Sequence, residues 1–472
     1  LLLSSATYFV FLVAVFFLYW PLARWRASAL AVILFANYLF YARWHMAYLV
    51  LIPAASSLDY FVGLGLQSAQ RQWLRRSLVT FSVLMNVGLL AFLKYVPFFL
   101  SNWTALAGQP GTAQTAPEWH WALPVTLSFY VFQSLTYTID LYRRDAKGTR
   151  SYLAHLAAVS FFPTTLAGPI TRVQSLIDQM EKRKPLLTSD GGRALFLVGM
   201  GLVKKLLIAD YLGENLVNRI FDFPNLYSGT EVLIGVYAYA FQIYYDFSGY
   251  SDIAIGSALL LGVKLPANFN RPYAAENLAD FWRRWHMSLS NWLRDYLYFS
   301  LPGLRSWKAF AYINLIITMV IGGLWHGASW NFVIWGALHG VGLVLVRLWQ
   351  SAFANTSGKV WGGFRYLSQV LTFHFVTFAW IFFRAADLDT VLAILARIAS
   401  LTASFANVSV PLAMVLGIGL AAHYVPKRWY DRGLDLYVRA PFAAQAAALV
   451  ALVWSLRYVA ATGAAPFIYN QF

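Results

Sequence analysis

GGLWHGASWNFVIWGALHG occupies residues 322–340, and NFNRPYAAENLADFWRRWHMSLSNWLRDYLYFSL, residues 268–301, precedes it by one apolar run. The first string is apolar enough to enter lipid yet carries His326. The second is basic, rich in tryptophan and carries His286. An ionisable side chain inside lipid is costly, so an imidazole between Gly322, Gly323, Leu324, Trp325 and Gly327 is a candidate for function. The residues alone leave a second reading open, a histidine hydrogen-bonded between packed helices.

The rest of the chain fixes the class. Of 472 residues, 59% are hydrophobic and only 12% charged, more apolar surface than a soluble domain can hide, which makes this a polytopic membrane protein. The formal net charge of +16 then marks cytoplasmic loops and attraction to anionic headgroups or an anionic cosubstrate rather than nucleic acid. There is no cysteine, which excludes disulfides, thiolate metal sites and a cysteine nucleophile. The opening LLLSSATYFVFLVAVFFLYWP lacks a basic leader and reads as a first transmembrane helix, on a sequence without its initiator methionine.

A spanning helix needs about 20 mainly apolar residues. Candidate spans lie near 6–22, 28–42, 47–66, 78–100, 122–141, 193–218, 231–262, 309–324, 328–346, 364–383, 407–424 and 441–460. Segment 151–172 is also apolar, but Pro163, Gly168 and Pro169 break it, as in a re-entrant element buried in protein. Basic clusters at Arg71, Arg75 and Arg76, at Arg143, Arg144, Lys147 and Arg150, and at Lys182, Arg183 and Lys184 contrast with loop 101–121, which has no lysine or arginine. The positive-inside rule puts the clusters in the cytoplasm, with 264–308 and Lys427, Arg428 and Arg432, and both chain ends in the periplasm. Segment 387–404 then lies along the outer surface. With no repeat or soluble boundary, residues 1–472 read as one membrane domain.

On a helical wheel Phe281, Trp285, Leu289, Trp292 and Tyr296 form one apolar stripe, with Arg283, Arg284, Ser288 and Asn291 elsewhere. That pattern predicts a helix in the interfacial plane, with His286 bordering the stripe. His339 lies thirteen positions after His326, about 220° around a helix, so the two share no metal on one face, and no metal site is expected. Asp246, in YYDFSGYSDIAIG with Asp252, either lines a tunnel or bonds to neighbouring helices. Asn331, one turn beyond Gly327, is placed to orient His326. His374 and His423 read as packing residues.

Four strings, FFPTTLAGPITR (161–172), YYDFSGYSDIAIG (244–256), NFNRPY with FWRRWHMSLSNWLRDYLY (268–298), and GGLWHGASWNFVIWGALHG, with the ending PFIYNQF (466–472), carry a resemblance to the membrane-bound O-acyltransferase (MBOAT) family. Within it they resemble the bacterial alginate O-acetyltransferase (AlgI-like) type, and more distantly the DltB-like type. The resemblance implies an all-α polytopic transmembrane bundle, with re-entrant and interfacial amphipathic helices around a transmembrane tunnel. It puts the family's histidines on His326 and His286.

The chemistry so implied is acyl transfer from a thioester to a hydroxyl. An imidazole in reach takes the hydroxyl's proton as attack begins, the role expected of His326. His286 either positions the thioester or stabilises its oxyanion. Without cysteine or a GxSxG elbow, direct transfer in a ternary complex is the simpler route. Arg271, Arg283 and Arg284 are expected to hold the phosphates of an acyl-CoA or the acidic face of a carrier protein, and Trp282, Trp325, Asn331 and Asp246 to line or support the tunnel. No bound cofactor is expected; acetyl-CoA is the donor substrate.

The expected function is O-acetylation, in the bacterial inner membrane, of an extracytoplasmic polysaccharide such as alginate or cellulose, directly or through periplasmic acetyl-transfer partner proteins. The alternatives are D-alanyl transfer from a carrier protein to teichoic acid, peptidoglycan O-acetylation, and transport of a polysaccharide intermediate.

Overall fold

A computed structural model describes residues 2–107, 125–165, 168–303, 308–352 and 362–459. The ending PFIYNQF and most of loop 101–121 lie outside the described residues. Among those described there is no β-strand. The α-helices are α1 Ala6–Leu22, α2 Arg26–Ala42, α3 Tyr48–Ser68, α4 Gln72–Leu106, α5 Val125–Arg143, α6 Tyr152–Val159, α7 Phe162–Thr165, α8 Val173–Glu181, α9 Thr188–Leu202, α10 Asp210–Leu212, α11 Asn218–Asp222 and α12 Gly229–Leu260. They continue as α13 Leu278–Trp282, α14 Met287–Trp292, α15 Lys308–His326, α16 Trp330–Ala352, α17 Gly362–Arg384, α18 Leu388–Ala399, α19 Val410–Tyr424, α20 Lys427–Arg439 and α21 Phe442–Val459.

Five of the described helices (48–68, 72–104, 309–326, 330–352 and 364–384) are long and apolar enough to cross a bilayer, and α19 with α20, bent by 94°, makes a sixth if that pair is one broken span. The fold is therefore an all-α, multi-pass membrane fold. The 12-residue α18 is about 18 Å long, too short for a core of about 30 Å.

The chain forms two compact units, Leu1–Gly191 with Ser257–Pro266, and Gly192–Gly256 with Ala267–Phe472. In the first, α3, α4 and α5 are tied by buried Asp59, which accepts hydrogen bonds from Ser82 and Ser134 (both 2.6 Å) and Asn86 (2.9 Å). Of the broken segment, residues 154–165 and 168–171 are buried as the prolines imply, and backbone groups it frees meet buried side chains. Asn37 donates to Ala157 O and accepts from Phe162 N, while Gln133 donates to Ala158 O and Val159 O. Side chains supply what a helix would have supplied.

The three basic clusters lie at one end of this unit. Arg75 donates to Leu66 O, Leu141 O and Tyr142 O, closing the carbonyl ends of α3 and α5. Gly148 N and Thr149 bond to Gln174 and Glu181, and Arg183 to Ala23 O.

In the second unit α15 and α16 form a hairpin packed through glycines. A Cβ on Gly323 would lie 2.2 Å from Phe332 O, one on Gly336 2.4 Å from Met319 O, and one on Gly340 2.8 Å from Ile316 Cα. Only bare backbone allows this approach. The hairpin turns in the three residues Gly327–Ser329, which leaves His326 as the last residue of α15, facing α16.

Candidate active site

His326 is 6% exposed and enclosed by rings: Trp325 at 5.0 Å, Phe383 at 5.0 Å, Trp335 at 5.3 Å and Phe332 at 6.4 Å between centroids. His286, fully buried, also neighbours Trp325, its ring 6.4 Å from that indole and 4.6 Å from Phe247. One tryptophan thus neighbours both histidines that the sequence nominated. Trp282 joins the group through Trp335 at 5.8 Å and His339 at 5.2 Å.

The predicted continuous interfacial helix over 281–296 is not what forms. The chain breaks between α13 and α14 at His286, whose φ is +41°, and Leu293–Leu297 winds as a π-helix. The cause is Asn268. Its carbonyl O accepts from Met287 N (2.9 Å), and its Oδ1 accepts from Ser288 N (3.2 Å) and Ser288 Oγ (2.9 Å), and this capture turns the backbone at His286. The apolar stripe is buried in protein along its whole length, and Ser288 is buried with it.

Asn268 also sets the state of His286. Because a backbone N–H donates to Oδ1, that atom is an acceptor, and His286 Nδ1, 3.2 Å away, must be the N–H that donates to it. In the neutral ring Nε2 then carries the lone pair. Burial pushes this imidazole down to about 3, so the ring is neutral at physiological pH.

The other predicted residues are placed as follows. Asn331 is buried and donates to Ala385 O at 2.9 Å. It joins the start of α16 to the end of α17 rather than holding the imidazole of His326. Asp246 pairs with Lys205 Nζ, which also meets Asp210 at 2.7 Å, all three buried between α10, α12 and the π-helical turn Val203–Ala209. Arg283 and Arg284 both face Asp280, at 3.5 Å and 2.9 Å; the Arg283 side chain is 68% exposed. Arg271 opens a tight turn with φ +45°.

Two residues set aside on sequence belong to this neighbourhood. His339 touches Trp335 at 4.9 Å. The break at Gly327–Ser329 lets the His326 and His339 rings both touch Trp335, although thirteen positions on one continuous helix would point them apart. His423, read as packing, is buried against Tyr244 and also accepts from Tyr273 N at 3.2 Å. His374 is exposed, and its ring packs edge-on against Tyr237 at 5.7 Å, the packing role read for it. Asn268 was missed although it sits in NFNRPY, and Lys205 was visible only as a charge inside an apolar run.

The MBOAT, membrane-bound O-acyltransferase family, model matches residues 112–386, a range that holds every residue of this site but His423. A probable alginate O-acetylase AlgI of Azotobacter vinelandii is 40% identical over 396 residues, 82% of this chain and 75% of the relative. A peptidoglycan O-acetyltransferase of Helicobacter pylori is 35% identical over 389 residues, 76% of this chain and 72% of the relative. A teichoic acid D-alanyltransferase of Streptococcus thermophilus is 31% identical over 244 residues, 47% and 56%.

Proposed function

We propose that this chain, which belongs to the membrane-bound O-acyltransferase family and is an acyltransferase, moves an acetyl group from cytoplasmic acetyl-CoA to a hydroxyl outside the bacterial inner membrane. The acceptor is an extracytoplasmic polysaccharide of the alginate or cellulose kind, or a periplasmic partner protein that passes the group on. The observation that carries the reading is His326, held at the end of a span in a water-excluding cage of aromatic rings.

In this mechanism His326 accepts the proton of the attacking hydroxyl while its oxygen bonds to the thioester carbon. The tetrahedral intermediate collapses, the C–S bond breaks, and the proton passes from the imidazolium to the leaving thiolate. Such a base contributes about 10²- to 10⁴-fold. His286, with its lone pair on Nε2, accepts a hydrogen bond from the donor and positions it. Arg271, Arg283 and Arg284 meet the phosphates of CoA. The donor reaches His326 from the cytoplasm and the acceptor from the periplasm, so CoA itself never crosses.

The basic end of the first unit faces the cytoplasm in this scheme and both termini the periplasm. Since the chain has no cysteine, single cysteines at 147 and 183 test the first point by labelling from either side.

The peptidoglycan O-acetyltransferase relative favours a second acceptor, the glycan of the cell wall, and the D-alanyltransferase relative a second donor, a carrier-protein thioester. The test is transfer or hydrolysis of radiolabelled acetyl from acetyl-CoA by purified wild type and His326→Ala. Activity lost only in the folded variant is expected. Equal activity in both would sink the assignment of His326, and a wild type active only with a carrier-protein thioester would replace the donor.

A further inference from the structure

An acyl transfer needs donors for the oxyanion as well as a base, and His286 cannot supply one while Asn268 holds its proton on Nδ1. Two other N–H groups lie on the same face of α16, one on Trp335, which packs against His326, and one on His339, which packs against Trp335. Trp335 and His339 are one turn apart on α16, 1% and 0% exposed, so both lie on its buried face. The Trp335 ring is in contact with His326 and with His339, at 5.3 Å and 4.9 Å.

The proton of His339 is located by Trp282, whose indole N–H donates to His339 Nδ1 at 3.3 Å. The neutral ring therefore carries its hydrogen on Nε2. That Nε2–H and the Nε1–H of Trp335 are both buried and find no acceptor among the described residues. Buried donors left so are costly, and a pair of them on successive turns of one helix, the first packed against His326, calls for a ligand.

The surroundings say which ligand chemistry fits. Two donors take an acceptor atom. The rings about them, Phe281, Trp282, Phe375, Trp380 and Phe383, offer no cation, so a phosphate would be buried without its countercharge. A carbonyl oxygen, neutral before attack and negative during it, matches both conditions. We propose that Trp335 Nε1–H and His339 Nε2–H form the oxyanion site for the thioester carbonyl of the acyl donor, with Trp282 as the positioning residue that keeps His339 in its donating tautomer.

The assignment rests on the acyl-transfer reading above. As the hydroxyl oxygen bonds to the carbonyl carbon, the π pair moves onto the carbonyl oxygen and these N–H groups hold it; the pair returns as the C–S bond breaks. The donors then strengthen their bonds only in the transition state and act on kcat.

The test is steady-state kinetics with acetyl-CoA for wild type, Trp335→Phe, His339→Phe, His339→Gln and Trp282→Phe, with thermal midpoints measured alongside. Each phenylalanine at 335 or 339 is expected to lower kcat by about 10²- to 10³-fold with KM within about threefold. His339→Gln, which restores an N–H, is expected to recover at least tenfold over His339→Phe, and Trp282→Phe to lose less than either. Unchanged kcat, or a rise in KM alone, overturns the proposal.

Histidine ¹⁵N spectra of the intact protein supply a readout that packing does not move: the signals lost in His339→Phe must be those of an Nε2–H tautomer. An Nδ1–H tautomer there overturns the assignment whatever the donor. A wild type inactive with acetyl-CoA refutes the donor proposed earlier; the tautomer and the same variant series on a carrier-protein thioester then decide the oxyanion site.

Discussion

Replacing Gly336 by alanine tests whether His326 depends on the closeness of α15 and α16. The new Cβ would stand 2.4 Å from Met319 O and 2.8 Å from Val320 Cα, both backbone atoms that cannot swing away. Relaxed contact lies near 3.5 Å, so the helices must part by about 1 Å at a level next to Trp335, which walls His326. Overpacking of this kind costs about 1–3 kcal/mol of stability. A 1 Å misplacement of reacting groups costs about 10²-fold in rate, or about 2.7 kcal/mol in the barrier.

The expected result is a protein that folds with a lowered thermal midpoint and transfers acetyl about a hundredfold more slowly at saturating acetyl-CoA. Gly417→Ala on α19 is the control: nothing lies within 4 Å of its Cβ, so rate is unchanged and helix propensity raises stability slightly. A Gly336→Ala protein with the wild-type kcat would refute the coupling between helix spacing and the position of His326, however much its midpoint fell.

Lys205→Met leaves Asp210 and Asp246 buried without their ammonium, and a destabilisation of about 3–5 kcal/mol is expected from thermal or denaturant unfolding; adding Asp210→Asn and Asp246→Asn should recover most of it, and a single variant as stable as wild type would show the triad to be solvated. For His286 the folded value, about 3, lies below the ordinary value near 6.5, so the unfolded chain takes the proton first. Its contribution is intact above about pH 6.5 and declines as pH falls toward 3, by up to about 1.4 kcal/mol per pH unit. Unfolding midpoints of wild type and His286→Gln between pH 7.5 and 4.5 should diverge at neutral pH and converge in acid; parallel curves would contradict the burial argument.

Apolar length made the helices legible: each candidate range is mostly helix wherever its residues are described, because a bilayer leaves the backbone little choice, although only five of the twelve, or six with the bent pair α19 and α20, are long and apolar enough to count as spans. Pro163, Gly168 and Pro169 likewise announced the broken segment, though nothing pointed to Asn37 and Gln133 as the side chains that satisfy it. The break at His286 was illegible. DFWRRWHMSLSNW keeps helical period without glycine or proline, and the turn there is imposed by Asn268, eighteen residues earlier, through bonds no local propensity encodes. Distance in sequence hid the partner of Asp246 in the same way, since Lys205 comes from another helix. The nearness of His339 to the ring of Trp335 was also out of reach of periodicity, since a wheel drawn through Gly327–Ser329 follows a helix that the backbone breaks.

The hairpin of α15 and α16 also bears on how such a protein is made. Its helices are joined by three residues and zipped by glycines on neighbouring turns, so closing it costs little loop entropy and needs nothing synthesised later. During translation His326, Trp335 and His339 acquire their mutual order as soon as α16 leaves the ribosome, whereas Phe383 arrives with α17 and His423 with α19. His326, Trp335 and His339 thus come from one hairpin, Lys308–Ala352, while Trp282 and His286 precede it and Phe383 follows it, which makes the hairpin a natural unit to transplant between acyltransferases of different specificity.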